Sequence, residues 1–247
     1  CRLLTGGRWF SITQMSVPRD SACSVVLDGE LWVLGGRAPR VRTRGAARER
    51  LCSVEVWNPA RNSWRPSPSL EQARCAHVGG VGGGSLVSAG GFGGDGQLAS
   101  AEAFSPATGW TSLPPMPHAA GYATAVVLGG RLYVAGGVFC DKLQMWDGTA
   151  WTLKADLPAE RDSAASVAVD GKMWVIGGFV VSGGDSTASV IIYNPISDSW
   201  TTGVPLPSPR SPCRATMEHA GSILVVGGLD GDDGPPLRFQ DGAWIEM

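Results

Sequence analysis

The chain has 247 residues, with 35 glycines, 10 tryptophans and a formal net charge of −2 at neutral pH. That acidic balance disfavours a nucleic-acid partner, whose phosphates call for a basic surface. No apolar run approaches the roughly 20 residues a helix needs to span a bilayer, and the six cysteines are scattered with no C-x-x-C pair, so no membrane partner, disulfide framework or zinc site is expected and a reducing, cytoplasmic setting fits.

The chain begins at Cys1, and a piece of a longer protein is the expectation. Residues 1–17 predict two strands, Cys1 to Leu4 and Trp9 to Ile12, around the turn Thr5-Gly6-Gly7. Residues 18–70 then predict four strands, which we term a to d. Strand a is Ala22 to Leu27, with Asp28-Gly29 as a hairpin turn. Strand b is Leu31 to Leu34, closed by Gly35-Gly36. After the insertion Arg37 to Leu51, strand c is Ser53 to Trp57 and strand d starts at Trp64. These segments alternate or run apolar over four to six positions, as strands do. The same plan returns in 71–117, 118–158, 159–207 and 208–247, with no segment of sustained helical period and no interdomain linker.

The repetition is metrical in one half of each unit. Trp9 to Gly35, Trp64 to Gly90, Trp110 to Gly136 and Trp151 to Gly177 each span 26 residues, and Trp200 to Gly227 spans 27. From the second glycine to the next tryptophan the spans are 28, 19, 14, 22 and 16. The b–c connections therefore absorb the insertions. A four-stranded meander cannot bury both of its faces alone; sheets stacked radially can, and the result is a propeller.

These residues resemble a kelch-repeat protein. The pattern reads Pro18-Arg19, Trp32, Gly35-Gly36, Glu55-Val56-Trp57 and Trp64 in the first unit, and Arg74, Gly90-Gly91, Glu102-Ala103-Phe104 and Trp110 in the second. The third unit has Ala120 where the Arg belongs. The fourth keeps Arg161, Trp174 and Tyr193 but has Ile191 for the Glu, and the fifth, with Leu224 and Leu237, is the most diverged. The fold expected is an all-β, kelch-type β-propeller: one domain of five complete four-stranded blades plus the c–d half of a sixth. The inner half of that sixth blade would come from residues outside this sequence.

In a propeller the d–a and b–c connections share one face. In the BTB-kelch and F-box-kelch proteins that this chain resembles, that face binds partners. The resemblance implies a protein or peptide ligand, no cofactor and no metal. It also raises a possible role in substrate recognition for a cullin ubiquitin ligase, through a domain not present here. Carried onto this sequence, the contact residues are Arg37, Phe92, Val138, Phe179 and Leu229 after the double glycines, with Arg19, Asp20, Arg74, Cys75, Arg161, Asp162 and Arg210 at the corners. The competing reading of each Arg is an ion pair that holds adjacent loops. The double glycines, Trp57 and the spaced tryptophans are assigned to structure.

The first b–c loop carries Arg37, Arg40, Arg42, Arg44, Arg48 and Arg50 against Glu49, and the fifth carries Asp230, Asp232 and Asp233. Such runs read either as partner contacts or as solvated segments. Asp230 to Gly234 hints at a calcium loop, but Pro235 stands where an EF-hand needs Gly.

An enzyme, most plausibly a kelch-type sugar epimerase or mutarotase, is the alternative function. Against it, His77, His118 and His219 fall on different connections, Tyr133 and Tyr193 occupy structural places, and no Glu-x3-Asp-x3-His iron spacing occurs. Cys75 beside Arg74 is a candidate redox thiol.

Overall fold

A computed structural model describes residues 2–5, 8–39, 48–218, 221–228 and 234–247. Strands β1 (Arg2–Thr5) and β2 (Arg8–Ser11) form a two-stranded sheet. The first four-stranded sheet holds β3 (Cys23–Leu27), β4 (Glu30–Leu34), β5 (Val54–Asn58) and β6 (Ser63–Ser67). The second holds β7 (Val78–Gly82) and β8 (Ser85–Ala89); a short loop pair, β9 (Phe92–Gly93) and β10 (Gly96–Gln97), separates them from β11 (Ala101–Ser105) and β12 (Gly109–Leu113). The third holds β13 (Thr124–Leu128), β14 (Arg131–Ala135), β15 (Leu143–Trp146) and β16 (Trp151–Leu153). The fourth holds β17 (Ala165–Val169) and β18 (Lys172–Ile176), then the loop pair β19 (Phe179–Val180) and β20 (Asp185–Ser186), then β21 (Val190–Asn194) and β22 (Ser199–Thr202). The fifth holds β23 (Arg214–Met217), β24 (Ile223–Val226), β25 (Leu237–Gln240) and β26 (Ala243–Glu246). Every sheet is an antiparallel meander in chain order. Five four-stranded blades are there, as expected, and the strands of the first lie within about one residue of their expected bounds.

The sheets stand in a ring. Inner strand β3 packs on β7, β7 on β13, β13 on β17 and β17 on β23. Among the described residues β23 and β3 make no comparable contact. All five inner strands line a central cavity of about 280 Å³. Between neighbouring blades the core is built from side chains such as Leu34, Leu86, Leu132 and Met173, all at most 1% exposed. Burying each of these contributes about 1.5–3 kcal/mol.

The double glycine is the joint between blades. The Gly36 N–H donates to the Arg74 carbonyl at 2.8 Å, and Gly91 does the same to Ala120 at 2.8 Å. The preceding glycine lies so close to that carbonyl that a Cβ on Gly35 would sit 2.5 Å from Arg74 O, at φ +55°. Both the left-handed backbone and the approach therefore demand glycine. The spaced tryptophan closes the outer rim. The indole N–H of Trp110 donates to Pro68 O, that of Trp151 to Pro114 O, that of Trp200 to Ala155 O and that of Trp244 to Val204 O. Each acceptor lies just past the outermost strand of the preceding blade. Trp64 donates to Thr13 O in the same way. By this equivalence β2 is an outermost strand, and β1–β2 is the outer half of a sixth blade.

The candidate interaction face

Each blade enters the ring face through a corner after its predecessor's outer strand. Residues just past the corner Arg pair with residues just past the double glycine. Asp20 and Arg37 exchange backbone hydrogen bonds at 3.1 and 2.8 Å, Cys75 and Phe92 at 3.2 and 2.8 Å, and Asp162 and Phe179 at 3.0 and 2.9 Å. Val138 N–H donates to Gly121 O at 2.9 Å. The two sets of residues singled out from the sequence are thus brought together, pair by pair, around one rim. Leu229 lies outside the described residues, as do Arg40, Arg42, Arg44, His219, Asp230, Asp232 and Asp233.

The corner arginines require a correction. Arg74, Arg161 and Arg210 are buried, and the Arg19 side chain is only 1% exposed. Their guanidinium groups turn inward. Arg19 donates to Gly35 O and Ser53 O, both at 2.8 Å, and pairs with Glu55 at 2.8 Å. Arg74 donates to Gly90 O and Ser100 O, both at 2.9 Å, and pairs with Glu102 at 2.7 Å. Among the described residues Arg161 reaches only Gly177 O, at 3.3 Å, and Ile191 stands where the acid would be. Arg210 donates to Gly227 O at 3.1 Å and Pro235 O at 2.9 Å. Burial keeps all four from a partner: Arg19, Arg74 and Arg210 are clasps that tie the b–c loop to the corner, and Arg161 holds the end of strand b.

Cys75 is also buried, its Sγ 3.9 Å from Phe92 O, which removes it from the contact set and from solvent oxidants. His77 is buried too, with neither ring nitrogen hydrogen-bonded among the described residues. Its ring points toward Gly35, where a Cβ would stand 3.0 Å from His77 Cε1. Burial, and then the Arg74 charge, push the imidazole from 6.5 down to about 3, so it is neutral. His118 is exposed on a d–a connection, and its backbone N–H is held by Gln144 at 2.8 Å.

What remains exposed on the rim is a mixed aromatic and charged surface. Asp20 is exposed and takes hydrogen bonds from both Arg37, at 2.9 Å, and Arg48. Partial burial works to raise its pKa, but those two guanidinium groups outweigh it and hold the carboxyl below its usual range. Arg37 also donates to Ser21 Oγ at 2.9 Å and lies within electrostatic range of Tyr122. Phe92 and Phe179 are half-buried. The Phe92 ring packs on Tyr122 with centroids 5.5 Å apart. It also fills the space over Gly121, where a Cβ would fall 2.3 Å from the ring. Phe139, one residue past Val138, is 75% exposed. Tyr122 and Phe139 were not among the sequence-derived contacts, and Arg48 was singled out only as part of the basic loop. Tyr122 could have been found by register, since it holds the corner position of Ser21, Ala76 and Ser163.

The rim surrounds a mouth of about 160 Å³, lined in part by Ser21, Tyr122, Ser163 and Arg214. At its edge the corners are linked in series. Ala76 N–H donates to Ser21 O at 2.7 Å, Tyr122 to Ala76 at 3.0 Å, and Ser163 to Tyr122 at 2.9 Å. At the fifth corner Pro212 has no N–H, and Cys213 donates to Ser163 O instead, at 3.3 Å.

The family pattern described as Kelch motif matches residues 18–71 and 160–207. Kelch-like protein 35 of Mus musculus is 27% identical over 232 residues, covering 90% of this chain and 37% of that protein. Kelch-like protein 35 of Homo sapiens is 35% identical over 232 residues, covering 90% of this chain and 36% of that protein. The chain thus spans little more than a third of the length of these relatives. Among solved structures, that of YjhT superposes with a TM-score of 0.80 at 16% identity, covering 97% of this chain and 87% of that one. This likeness carries the fold.

Proposed function

We propose that this kelch-repeat β-propeller is a protein-interaction module that binds a partner peptide or protein on the face built by its corners and b–c loops. The observation that carries the reading is the aromatic rim: Phe92 packed at a tilt on Tyr122, and Phe139 standing 75% exposed, with Arg37 on the same face. Aromatic and arginine side chains around a concave mouth are the groups that dominate binding energy at protein interfaces. Val138, Phe179, Asp20 and Asp162 complete the contact set. The kelch-like relatives support an interaction role. Two finer steps belong to the same proposal and rest on the sequence reading: work in the cytoplasm, from the scattered cysteines, and substrate recognition for a cullin ubiquitin ligase through a domain outside these residues, from the resemblance to BTB-kelch proteins. No observation favours the carbohydrate-isomerase alternative: the His77 ring, the histidine lining the cavity, is turned into a blade joint.

The test is affinity capture with the intact protein and two variants. Phe92→Ser combined with Phe139→Ser removes two anchors, each worth about 2 kcal/mol at a hot spot, and captured partners fall by tenfold or more. Ile196→Ser, at a residue 95% exposed on the c–d turn of the fourth blade and so on the other face, leaves capture unchanged. Equal capture by all three proteins would move the binding surface elsewhere.

A further inference from the structure

The first b–c loop leaves the ring as a short ladder. Ala38 N–H donates to Glu49 O at 2.9 Å, and Leu51 N–H to Gly36 O at 2.8 Å, so the two limbs run antiparallel. Arg37 lies directly opposite Arg50, and on its other side it bridges Asp20. Residues opposite each other in such pairing project from the same face. Alternate residues of one limb share a face too, which adds Arg48 and sends Glu49 to the other side. One face of this three-segment ribbon thus carries Asp20, Arg37, Arg48 and Arg50.

That placement costs stability, because like charges directly opposite in a ladder repel. One carboxylate serves the group: Asp20 accepts from Arg37 Nε at 2.9 Å and from Arg48 Nη2. Elsewhere among the described residues each ion-paired carboxylate serves a single cation, and Lys142 has two acids, Asp141 and Asp156. Here three guanidinium groups meet one carboxylate, and two positive charges stand unmatched. Their open donors are defined. Arg37 also spends Nη2 on Ser21 Oγ, at 2.9 Å, and Arg48 spends Nε on Ala38 O, at 3.0 Å. Neither Nη1 has a partner among the described residues, and the buried Arg50 Nε has none either. Asp20 therefore holds two guanidinium forks side by side, with 31% of the Arg37 side chain and 22% of the Arg48 side chain open to solvent. Ser21 lines the mouth, and its carbonyl leads through Ala76 to Tyr122.

We propose that this face receives a phosphorylated serine or threonine side chain of the partner. The inference rests on the interaction reading above and names its ligand chemistry. A phosphoserine brings a charge of about −1.5 to −2 and three acceptor oxygens. It matches both unmatched charges and takes paired bonds from the forked donors; a carboxylate would match half of that charge. From this point the partner's chain crosses Ala76 toward the Phe92–Tyr122 pair.

The probe is a labelled nonapeptide mixture with phosphoserine at its centre and degenerate flanks. It is titrated into the 247-residue protein by fluorescence polarisation, beside the same mixtures with serine or glutamate at the centre. We expect saturable binding of the phosphoserine form, at least tenfold tighter than either other. Inorganic phosphate should displace it where chloride at equal ionic strength does not, a readout that needs no variant. Arg37→Gln combined with Arg48→Gln, both at partly exposed positions, should keep the thermal midpoint and lose the preference for phosphoserine. Absence of saturable binding overturns the proposal, as does equal binding of the glutamate mixture. A uridine 12-mer that binds as tightly as the phosphoserine mixture would assign the face to nucleic acid and also overturn it. Affinity capture separates this inference from the reading it rests on. Partners lost with Phe92→Ser and Phe139→Ser, but kept by the arginine pair and after phosphatase treatment, overturn this inference alone. Partners kept by both pairs overturn the rim reading as well.

Discussion

The second and fourth blades solve the same local problem with different means. Each places an arginine at the corner, and each buries it against the carbonyl of the first glycine of its pair. In the second blade Glu102 completes the arrangement: it pairs with Arg74 and also accepts from the Glu71 and Gln72 N–H groups, at 2.6 and 3.1 Å. In the fourth blade Ile191 stands in that place and packs into the apolar core, leaving Arg161 with no carboxylate among the described residues. The lesson is that the corner arginine is retained for its carbonyl contact, and that the acid is a separate addition.

The largest break in this comparison is Glu102→Ala. It strands a fully buried cation and two backbone donors, and a loss of about 3–5 kcal/mol is expected in denaturant unfolding. Arg161→Met removes a buried cation that has no acid to satisfy it and is expected to stay within about 1 kcal/mol of the parent, on either side. Equal losses for the two variants would mean that the carboxylate contributes little. A double-mutant cycle sharpens the point. Ile191→Glu supplies the missing acid and, with Arg161→Met, is expected to report a coupling of about 1.5 kcal/mol, within the range for contacting residues. A coupling near zero would place the new acid out of reach of Arg161.

At neutral pH the remaining effects are small, and they emerge in acid. His77 stands in the second blade where the fourth has Ala164. Its pKa falls from 6.5 unfolded to about 3 folded, because burial and then Arg74 disfavour the charged ring. The unfolded chain thus binds more protons between these values, and stability is lost as pH drops from 6.5 toward 3. Stability measured at several pH values should decline less steeply in that window for His77→Ala than for the parent. Glu55 acts lower. Burial would raise its carboxyl, but donors from Ser16, Val17 and Arg19 prevail and hold it below its ordinary 4.5. Its contribution is complete above 4.5 and fades as pH falls through the folded value, a limb that Glu55→Gln should flatten. Parallel pH profiles for parent and variants would remove these two side chains from the account.

Much of this fold can be read from the sequence, because its joints use residues with single purposes. Only glycine tolerates the approach at Gly35, and the tryptophans 26 residues before Gly90, Gly136 and Gly177 reach across to the preceding blade with their indole N–H groups. The two-stranded start was legible for the same reason, since Trp9 keeps the spacing. The contact residues were legible only as pairs. Sequence adjacency hides direction: Arg19 turns inward while Asp20, the next residue, points to solvent. Tyr122 and Phe139 escaped notice because they occupy left-handed positions, φ +56° in each, that are held by the corner and the short loop and leave no pattern of type.

The serial hydrogen bonds between corners have a direction. From Ala76 to Cys213 each N–H reaches back to the blade before it, never forward. Among the described residues four such links join the five sheets, with the connectivity of a strip. In a linear array each member is stabilised by its nearest neighbours. The middle sheets therefore have two such corner links and the end sheets one, and amide exchange in the inner strands should be slowest in β13 and quicken toward both β3 and β23. The molecule is bent like a circle, but it opens like a zipper.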